Sequence, residues 1–349
     1  MSAAAHTARL AELRSADARA YGGKGSTLGE LIAGGIPVPP GFAVSTSAFR
    51  AFVEEAGLGG MIAAETSRMS PDDVDSVGAA SHAISQAMRF APVPDDLRVE
   101  VSRRYAELAE AVGVEEPPVA VRSSALGEDS QDATYAGQQE SYLWVRGADH
   151  VCDAMRDCWV SLYSPPAITY RARLRADDPA MGVAVQLMVD AEVSGVLFTC
   201  NPVSGDPSMV AVNASWGLGL AVVGGEVTPD DFLVSKITRE VVREHVHAKE
   251  VEYVPDEAGR GAVRVPVPEE RRSVACLDAD ALGALVDVAG TVERYFGSHQ
   301  DVEWAIARGG GLFVVQSRPV TAVHRPATIT ATSAMALVMS AFGAGKRDA

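Results

Sequence analysis

Gln300-Asp301-Val302-Glu303-Trp304-Ala305-Ile306-Ala307, the turn Arg308-Gly309-Gly310-Gly311, and Leu312-Phe313-Val314-Val315-Gln316-Ser317-Arg318 form the stretch on which the reading turns. Two β-rich runs flank a glycine-rich turn, and the spacing predicts an antiparallel hairpin. With Ala307 opposite Leu312, Glu303 falls opposite Gln316 and Asp301 opposite Arg318. Alternation along the strands puts these polar groups on one face. Val302, Trp304 and Ile306 take the other, with Phe313 and Val315. Carboxylates, an amide oxygen and a guanidinium gathered on one sheet face suit a Mg²⁺–phosphate platform. Mg²⁺ takes one or two carboxylates and leaves its other positions to phosphate oxygens and water; Arg318 would compensate charge that shifts during transfer. The ordinary alternative is a solvated face with an Asp301–Arg318 ion pair. The apolar run before Gln316 counts against it, and a slip of register by one residue would part Glu303 from Gln316.

Upstream, Val119-Ala120-Val121 reads as a strand leading into Arg122-Ser123-Ser124, and Gly137-Gln138-Gln139-Glu140-Ser141 follows. An arginine at a strand end can fork onto a phosphate, and a glycine-led loop can cover it. On the residues alone, a surface arginine beside a polar turn is an equal reading. Tyr21-Gly22-Gly23-Lys24-Gly25-Ser26 precedes a helix running to Ala33. Glycine amides, a helix N-terminus and a lysine favour an anion. The P-loop pattern nevertheless fails, because Gly25 follows Lys24 where Ser or Thr is needed. By itself this segment reads as a tight loop. Gln186-Leu187-Met188-Val189 offers an apolar slot with backbone hydrogen bonds, although such strands are commonplace core.

The period changes along the chain. Residues 46–112 and 148–175 are helical in pattern, and from about residue 183 strand alternation dominates, apart from one helix over 279–296. A hinge is expected at Met188-Val189-Asp190. The division is therefore a helix-rich region over residues 1–188, a strand-rich region over 189–321 and a tail over 322–349. The net charge of −16 disfavours nucleic acid and anionic membrane as partners, since both repel an acidic surface. The cysteines Cys152, Cys158, Cys200 and Cys276 form no CxxC pair and read as buried reduced thiols. The first residues have no apolar run of secretory type, and Met209 to Gly225 is too interrupted to span a membrane, so a cytoplasmic location is expected.

Taken together, GGKGSTLGELIAGGIPVPPGFAVST, VAVRSSALGEDSQDATYAGQQESYL, VQLMVDAEVSGVLFTCNPVSGD, NASWGLGLAVVGGEVTPDDF and QDVEWAIARGGGLFVVQSRPVT strongly resemble the N-terminal nucleotide-binding domain of one family. That family comprises phosphoenolpyruvate synthase, pyruvate phosphate dikinase and rifampicin phosphotransferase. The resemblance runs from about Arg19 to Thr321 and implies an α+β ATP-grasp fold of two lobes, with ATP held between them. It also implies that Gly23, Lys24 and Arg122 meet the triphosphate and that Gly137 to Ser141 is the loop over it. Glu303 and Gln316 look like Mg²⁺ ligands, with Asp301 and Arg318 as catalytic neighbours. Gln186, Met188 and Val189 look like the adenine hinge. Ser141 stands where the family usually has Thr, and Leu220 stands where it usually has Glu after Gly-Leu-Gly.

In that family a histidine on a swivelling domain attacks the β-phosphate of ATP, AMP departs, and the phosphohistidine loads an acceptor elsewhere. The seven histidines here, His6, His82, His150, His245, His247, His299 and His324, lack the family's glycine-rich phosphohistidine context. The short tail after Thr321 has no room for such a domain. The resemblance therefore implies an ATP-dependent phosphotransferase that works with a phosphohistidine-carrying domain or subunit and an acceptor-binding subunit. The acceptor could be pyruvate or another hydroxyl or enol. A degenerate nucleotide-binding module with a regulatory or scaffolding role is the competing expectation, motivated by Leu220 and the missing histidine.

Overall fold

The computed structural model describes residues 5–125, 141–174, 179–256 and 261–320. Strands β1 (Thr7–Arg9), β2 (Gly41–Val44), β3 (Val119–Ala125), β4 (Ser141–Val145) and β5 (Met181–Leu187) pair antiparallel in the order β1-β2-β5-β3-β4. A second antiparallel sheet takes β6 (Ala191–Phe198), β7 (Met209–Trp216), β8 (Asp230–Ser235) and β9 (Val241–His245). It also takes the predicted hairpin, β12 (Gln300–Ala307) and β13 (Leu312–Pro319), in the order β13-β12-β6-β7-β8-β9. Between these, β10 (Val251–Pro255) and β11 (Ala262–Pro266) form a separate ribbon. The helices are α1 (Ala18–Ala33), α2 (Thr46–Glu55), α3 (Gly59–Arg68), α4 (Val74–Phe90), α5 (Asp95–Val112), α6 (Ala148–Ser161), α7 (Pro165–Leu174), α8 (Leu220–Val223), α9 (Glu269–Arg272) and α10 (Ala279–Phe296).

The fold is α+β, as expected, with a large sheet in each region and the small ribbon besides, but the first region is less purely helical than its pattern implies. It carries a sheet of its own, to which β1, β2 and β4 contribute without a legible strand signal. The helical run over 148–175 is broken into α6 and α7, because Pro165 opens a new helix. In contrast, α10 has the span its pattern predicts. Asp278 caps its start by accepting from the Ala281 amide at 2.8 Å, and Gly297 ends it with φ 67°.

Two apolar cores follow from the layering. One face of the first sheet, with Phe42, Val44, Val183 and Val185, packs on Phe52, Ile84, Met88, Leu97 and Trp159 of the helices. Where α1 crosses it, the other face presents the small residues Ala43 and Ala184, and this thinness lets α1 lie close against it. Leu28 and Leu31 of α1 then join Val210, Val212, Phe232, Leu285, Val302, Trp304 and Val314 in the second core. Helix α1 therefore binds both sheets. It is kinked at Gly22, whose φ of 79° and ψ of 169° interrupt the helix. A Cβ at Gly22 would stand 1.9 Å from the Ser124 carbonyl oxygen, so only glycine lets β3 pass so near. The helix after the kink thus opens at Gly23-Lys24, earlier than Ser26, with no loop between.

In the second sheet the Asp230 carboxylate is sealed from solvent. It accepts from Lys249 Nζ at 2.5 Å and from the His247 and Cys276 amides, each at 2.9 Å. Lys249 is therefore a structural cation. All four cysteines are buried and none is in a disulfide. Burial raises the Cys276 thiol, and the Asp230 charge raises it further. No helix among the described residues is long and apolar enough to cross a membrane.

Candidate functional site

The hairpin register agrees with expectation at the polar end: Asp301 lies opposite Arg318 and Glu303 opposite Gln316. Nearer the turn it does not, because Ile306 rather than Ala307 faces Leu312. A bulge between Glu303 and Trp304 leaves Val315 as the extra residue. The bulge corrects the assignment of faces. Val314 joins Trp304 in the core, whereas Val315 borders the cavity and Phe313 pairs with Ala305 on the cavity side.

Arg122, arriving on β3 of the first sheet, reaches across to this hairpin. Its guanidinium donates from one terminal nitrogen to Glu303 Oε2 at 3.1 Å and to Gln316 Oε1 at 2.7 Å. The other terminal nitrogen donates to the Val315 carbonyl at 3.1 Å. The bulge thus supplies one of the oxygens that hold the arginine. Next along the hairpin, Arg318 Nε donates to Asp301 Oδ2 at 2.8 Å. Burial nonetheless lifts the Asp301 carboxyl above its ordinary value; Arg318 opposes that rise and Glu303 adds to it.

Beside the Arg122 group lies a cavity of about 180 Å³ bounded by both sheets. Arg122, Ser141, Gln186, Met188, Val189 and Glu303 line it, and of the sequence-derived candidates these are the ones it gathers. Pockets for whole cofactors run to roughly 300–1,000 Å³, so this volume suits a flat ring system. Ser141 pairs with Arg122 across β3 and β4. Residues 188–190, where the hinge is expected, connect β5 to β6, and the main chain there is tied by Leu187 N–H to the Pro40 carbonyl at 2.8 Å and Met188 N–H to that of Pro118 at 2.9 Å. Gln186 is 2% exposed, and its Nε2 donates to nothing among the described residues.

Gly23, Lys24, Asp301, Gln316 and Arg318 are absent from the cavity wall, although Gln316 touches it through its bond to Arg122. Lys24 is 2% exposed and its Nζ donates to the Ser123 carbonyl at 3.0 Å, so it stands one residue from Arg122 along β3. Gly137 and residues 138–140 of the expected loop lie outside the described residues, as does the tail over 322–349.

Sequence reasoning missed Leu143, Ala191, Ser194, Gly195, Leu218, Val223, Ala305 and Val315 of the cavity wall. Apart from the Gly217-Leu218-Gly219 turn, nothing sets these small or aliphatic residues apart from ordinary core. It also missed Trp144, which has φ 58° and is 5% exposed. In β4, Leu143 and Trp144 together oppose Ala120, a second bulge. Trp144 clusters with Ala191, Leu218 and Ala305 behind the cavity wall.

The oxygens of Glu303 and Gln316 share one cationic nitrogen. That convergence of a carboxylate and an amide oxygen fits a hard cation such as Mg²⁺. Among the described residues, no three His, Cys, Asp or Glu groups gather to hold a metal by themselves. A site of this kind leaves the remaining positions to the ligand's own oxygens.

Two antiparallel sheets thus hold an apolar cavity with an arginine, a carboxylate and an amide at its edge, an α+β arrangement of two lobes such as the resemblance implies. The chain belongs to the family described as pyruvate phosphate dikinase, AMP/ATP-binding domain, whose sequence model matches residues 18–336. It is 39% identical over 318 residues to the probable phosphoenolpyruvate synthase of Methanocaldococcus jannaschii, covering 90% of this chain and 27% of that protein. It is 37% identical over 357 residues to the phosphoenolpyruvate synthase of Pyrococcus furiosus, covering 91% and 44%. The chain thus spans between about a quarter and a half of the length of the curated relatives it matches. Among solved structures, a protein of Pyrococcus horikoshii Ot3 covers 88% of this chain and 94% of its own, at 12% identity and a TM-score of 0.36. That likeness is too slight to bear on function.

Proposed function

We propose that this chain binds ATP with Mg²⁺ and passes the β-phosphate to a histidine on a domain outside these 349 residues. In the step proposed, ATP, the histidine and water become phosphohistidine, AMP and inorganic phosphate. The phosphohistidine would then load pyruvate or another hydroxyl or enol acceptor. The family membership and the names of the relatives support this reading, and one observation carries it. Arg122, Glu303 and Gln316 converge from two sheets on one side of an apolar cavity.

The roles follow from the chemistry of the side chains. The cavity takes the base between Leu143, Met188, Val189 and Leu220, with the Gln186 amide as a directional contact. Arg122 and Lys24, neighbours through β3, bind and orient the phosphates, with Gly23 and Ser141 beside them, and the family resemblance gives Gly137 a part in the same task. Glu303 and Gln316 would hold Mg²⁺, which when bound neutralises phosphate charge. Asp301 fixes Arg318, whose guanidinium faces charge that shifts between phosphoryl groups. The protein forms no covalent bond in this lobe; positioning and charge compensation carry the rate.

The test combines the chain with ATP, Mg²⁺ and a phosphohistidine-bearing domain of a relative, and separates the nucleotides formed. AMP is the expected product. ADP would contradict attack at the β-phosphate. Tight nucleotide binding with no turnover would instead favour the regulatory or scaffolding module that Leu220, on the cavity wall, motivates.

A further inference from the structure

We infer that the Arg122 guanidinium is a stand-in cation, which closes the Glu303–Gln316 seat to a divalent ion until a phosphate draws the arginine away. This rests on the assignment of Glu303 and Gln316 as the ion's oxygen ligands under the proposed function.

Three observations carry it. First, a single terminal nitrogen of Arg122 contacts both Glu303 Oε2 and Gln316 Oε1, at 3.1 and 2.7 Å. The lone pairs that a metal would need are the ones the guanidinium uses. Second, the arrangement is partly shielded: the side chains of Arg122 and Glu303 are 13% and 26% exposed. A carboxylate in such a place needs a positive partner, and a second cation beside the first is repelled. Third, the pose is incomplete for the arginine. Its Nε–H is buried and donates to nothing among the described residues. A leftover donor on a group that lines the cavity carries a desolvation cost that an oxyanion could relieve. A phosphate offers a guanidinium a two-pronged acceptor, so the nucleotide can draw Arg122 from the hairpin and expose two oxygens as it does so.

The consequence is an order of events. Divalent ions do not load the free protein; phosphate arrives first or together with its ion. The arginine belongs to the first sheet and its partners to the second, so release of the latch also removes one tie between the sheets.

The test measures Mn²⁺ binding by electron paramagnetic resonance, with Mn²⁺ alone and with Mn²⁺ plus a non-hydrolysable ATP analogue. The chains compared are wild type, Arg122→Gln, Arg122→Lys and the double variant Arg122→Gln/Glu303→Gln, each checked for folding by thermal unfolding. With Mn²⁺ alone, Arg122→Gln should bind roughly tenfold or more tightly than wild type, because a neighbouring positive charge has gone. Arg122→Lys, which keeps the charge, should gain far less, and the double variant should lose the gain. If Arg122→Gln binds Mn²⁺ no better than wild type, the stand-in role is overturned. The proposed function survives that result provided Mn²⁺ binding with the analogue still depends on Glu303. Independence from Glu303 under both conditions overturns the ion seat and this inference together.

Discussion

Two bulges shape the cavity, and they deliver different things. In β4 the bulge turns Leu143 into the cavity and Trp144 behind its wall, so the irregularity re-aims side chains. In β13 the bulge turns the Val315 carbonyl onto Arg122, so the irregularity re-aims a backbone oxygen. The apolar side is therefore held by packing and by main-chain bonds such as Met188 N–H to Pro118. The polar side is held by a few charge-assisted side-chain bonds. Packing is shared among many atoms and degrades gradually. A charge that loses its partner in a shielded place does not. Substitutions on the polar side should remove function in a protein that still folds, with some stability lost to the charge left unpaired; those on the apolar side should act first on stability.

The largest effect is expected at the hairpin. Glu303→Ala should lower AMP formation by about 10³-fold or more, equivalent to about 4 kcal/mol of lost transition-state stabilisation. Arg122→Ala should do the same. Neither residue is in an apolar core, so both variants should still fold, each less stable than wild type because its partner is left unpaired in a shielded place. Near-normal turnover by either would mean that the reacting phosphates lie elsewhere.

Next comes Trp144, the sharpest test of the apolar side. A buried Trp cut back to Ala costs about 3–5 kcal/mol. Position 144 is also left-handed at φ 58°, a conformation that costs a residue with a Cβ about 1–2 kcal/mol. Trp144→Gly should therefore be more stable than Trp144→Ala by about 1 kcal/mol, inverting the usual order within a strand. Denaturant unfolding of the pair decides it, and an Ala variant at least as stable as the Gly variant would refute the strain.

A smaller effect is expected at Gln186, where the two sides meet in one residue. Its Nε2 is a buried donor without a partner among the described residues. Gln186→Leu should leave stability unchanged or raise it by about 1 kcal/mol, since an unsatisfied group is removed. Affinity for an ATP analogue should fall by about tenfold, or about 1.4 kcal/mol. Unaltered affinity, read by calorimetry, would take Gln186 out of the base site.

These contrasts also explain how much was legible in the residues. The hairpin announced itself because its polar residues fall at matched positions on either side of a glycine turn, and Asp301–Arg318 and Glu303–Gln316 pair as read. The Val315 bulge was not legible, since an extra residue in an all-apolar run leaves the pattern unchanged. The Trp144 bulge was hidden for a further reason: a left-handed position usually signals itself with Gly or Asn, and Trp gives no such sign. The short strands β1 and β2 form because partner strands and α1 supply the burial, a tertiary effect that local pattern does not carry. Only the family resemblance points Lys24 to the phosphates; by itself its segment reads as a tight loop. The Lys24 bond to the Ser123 carbonyl depends on the closeness of α1 and β3, which the Gly22 kink permits and no local pattern reveals.

The smallest effect belongs to the mooring of α1, the helix that carries Lys24 between the two sheets. Near its other end Glu30 accepts from Ser15 Oγ at 2.6 Å, from the Ser15 amide at 2.7 Å and from Tyr295 Oη at 2.6 Å. The Ser15 hydroxyl bond, then those of Tyr295 and the Ser15 amide, hold the Glu30 carboxyl below its ordinary value. A group whose value is depressed on folding adds stability above its unfolded value and loses it as pH falls through the folded one. Wild type should thus exceed Glu30→Gln in stability at neutral pH, with the gap closing as the medium is acidified below the usual glutamate range. The site is largely solvated, so the gap should stay under about 1 kcal/mol. Unfolding curves for the two proteins across acid and neutral pH measure it. A gap that widened in acid would mean that α1 is moored by something other than this carboxylate.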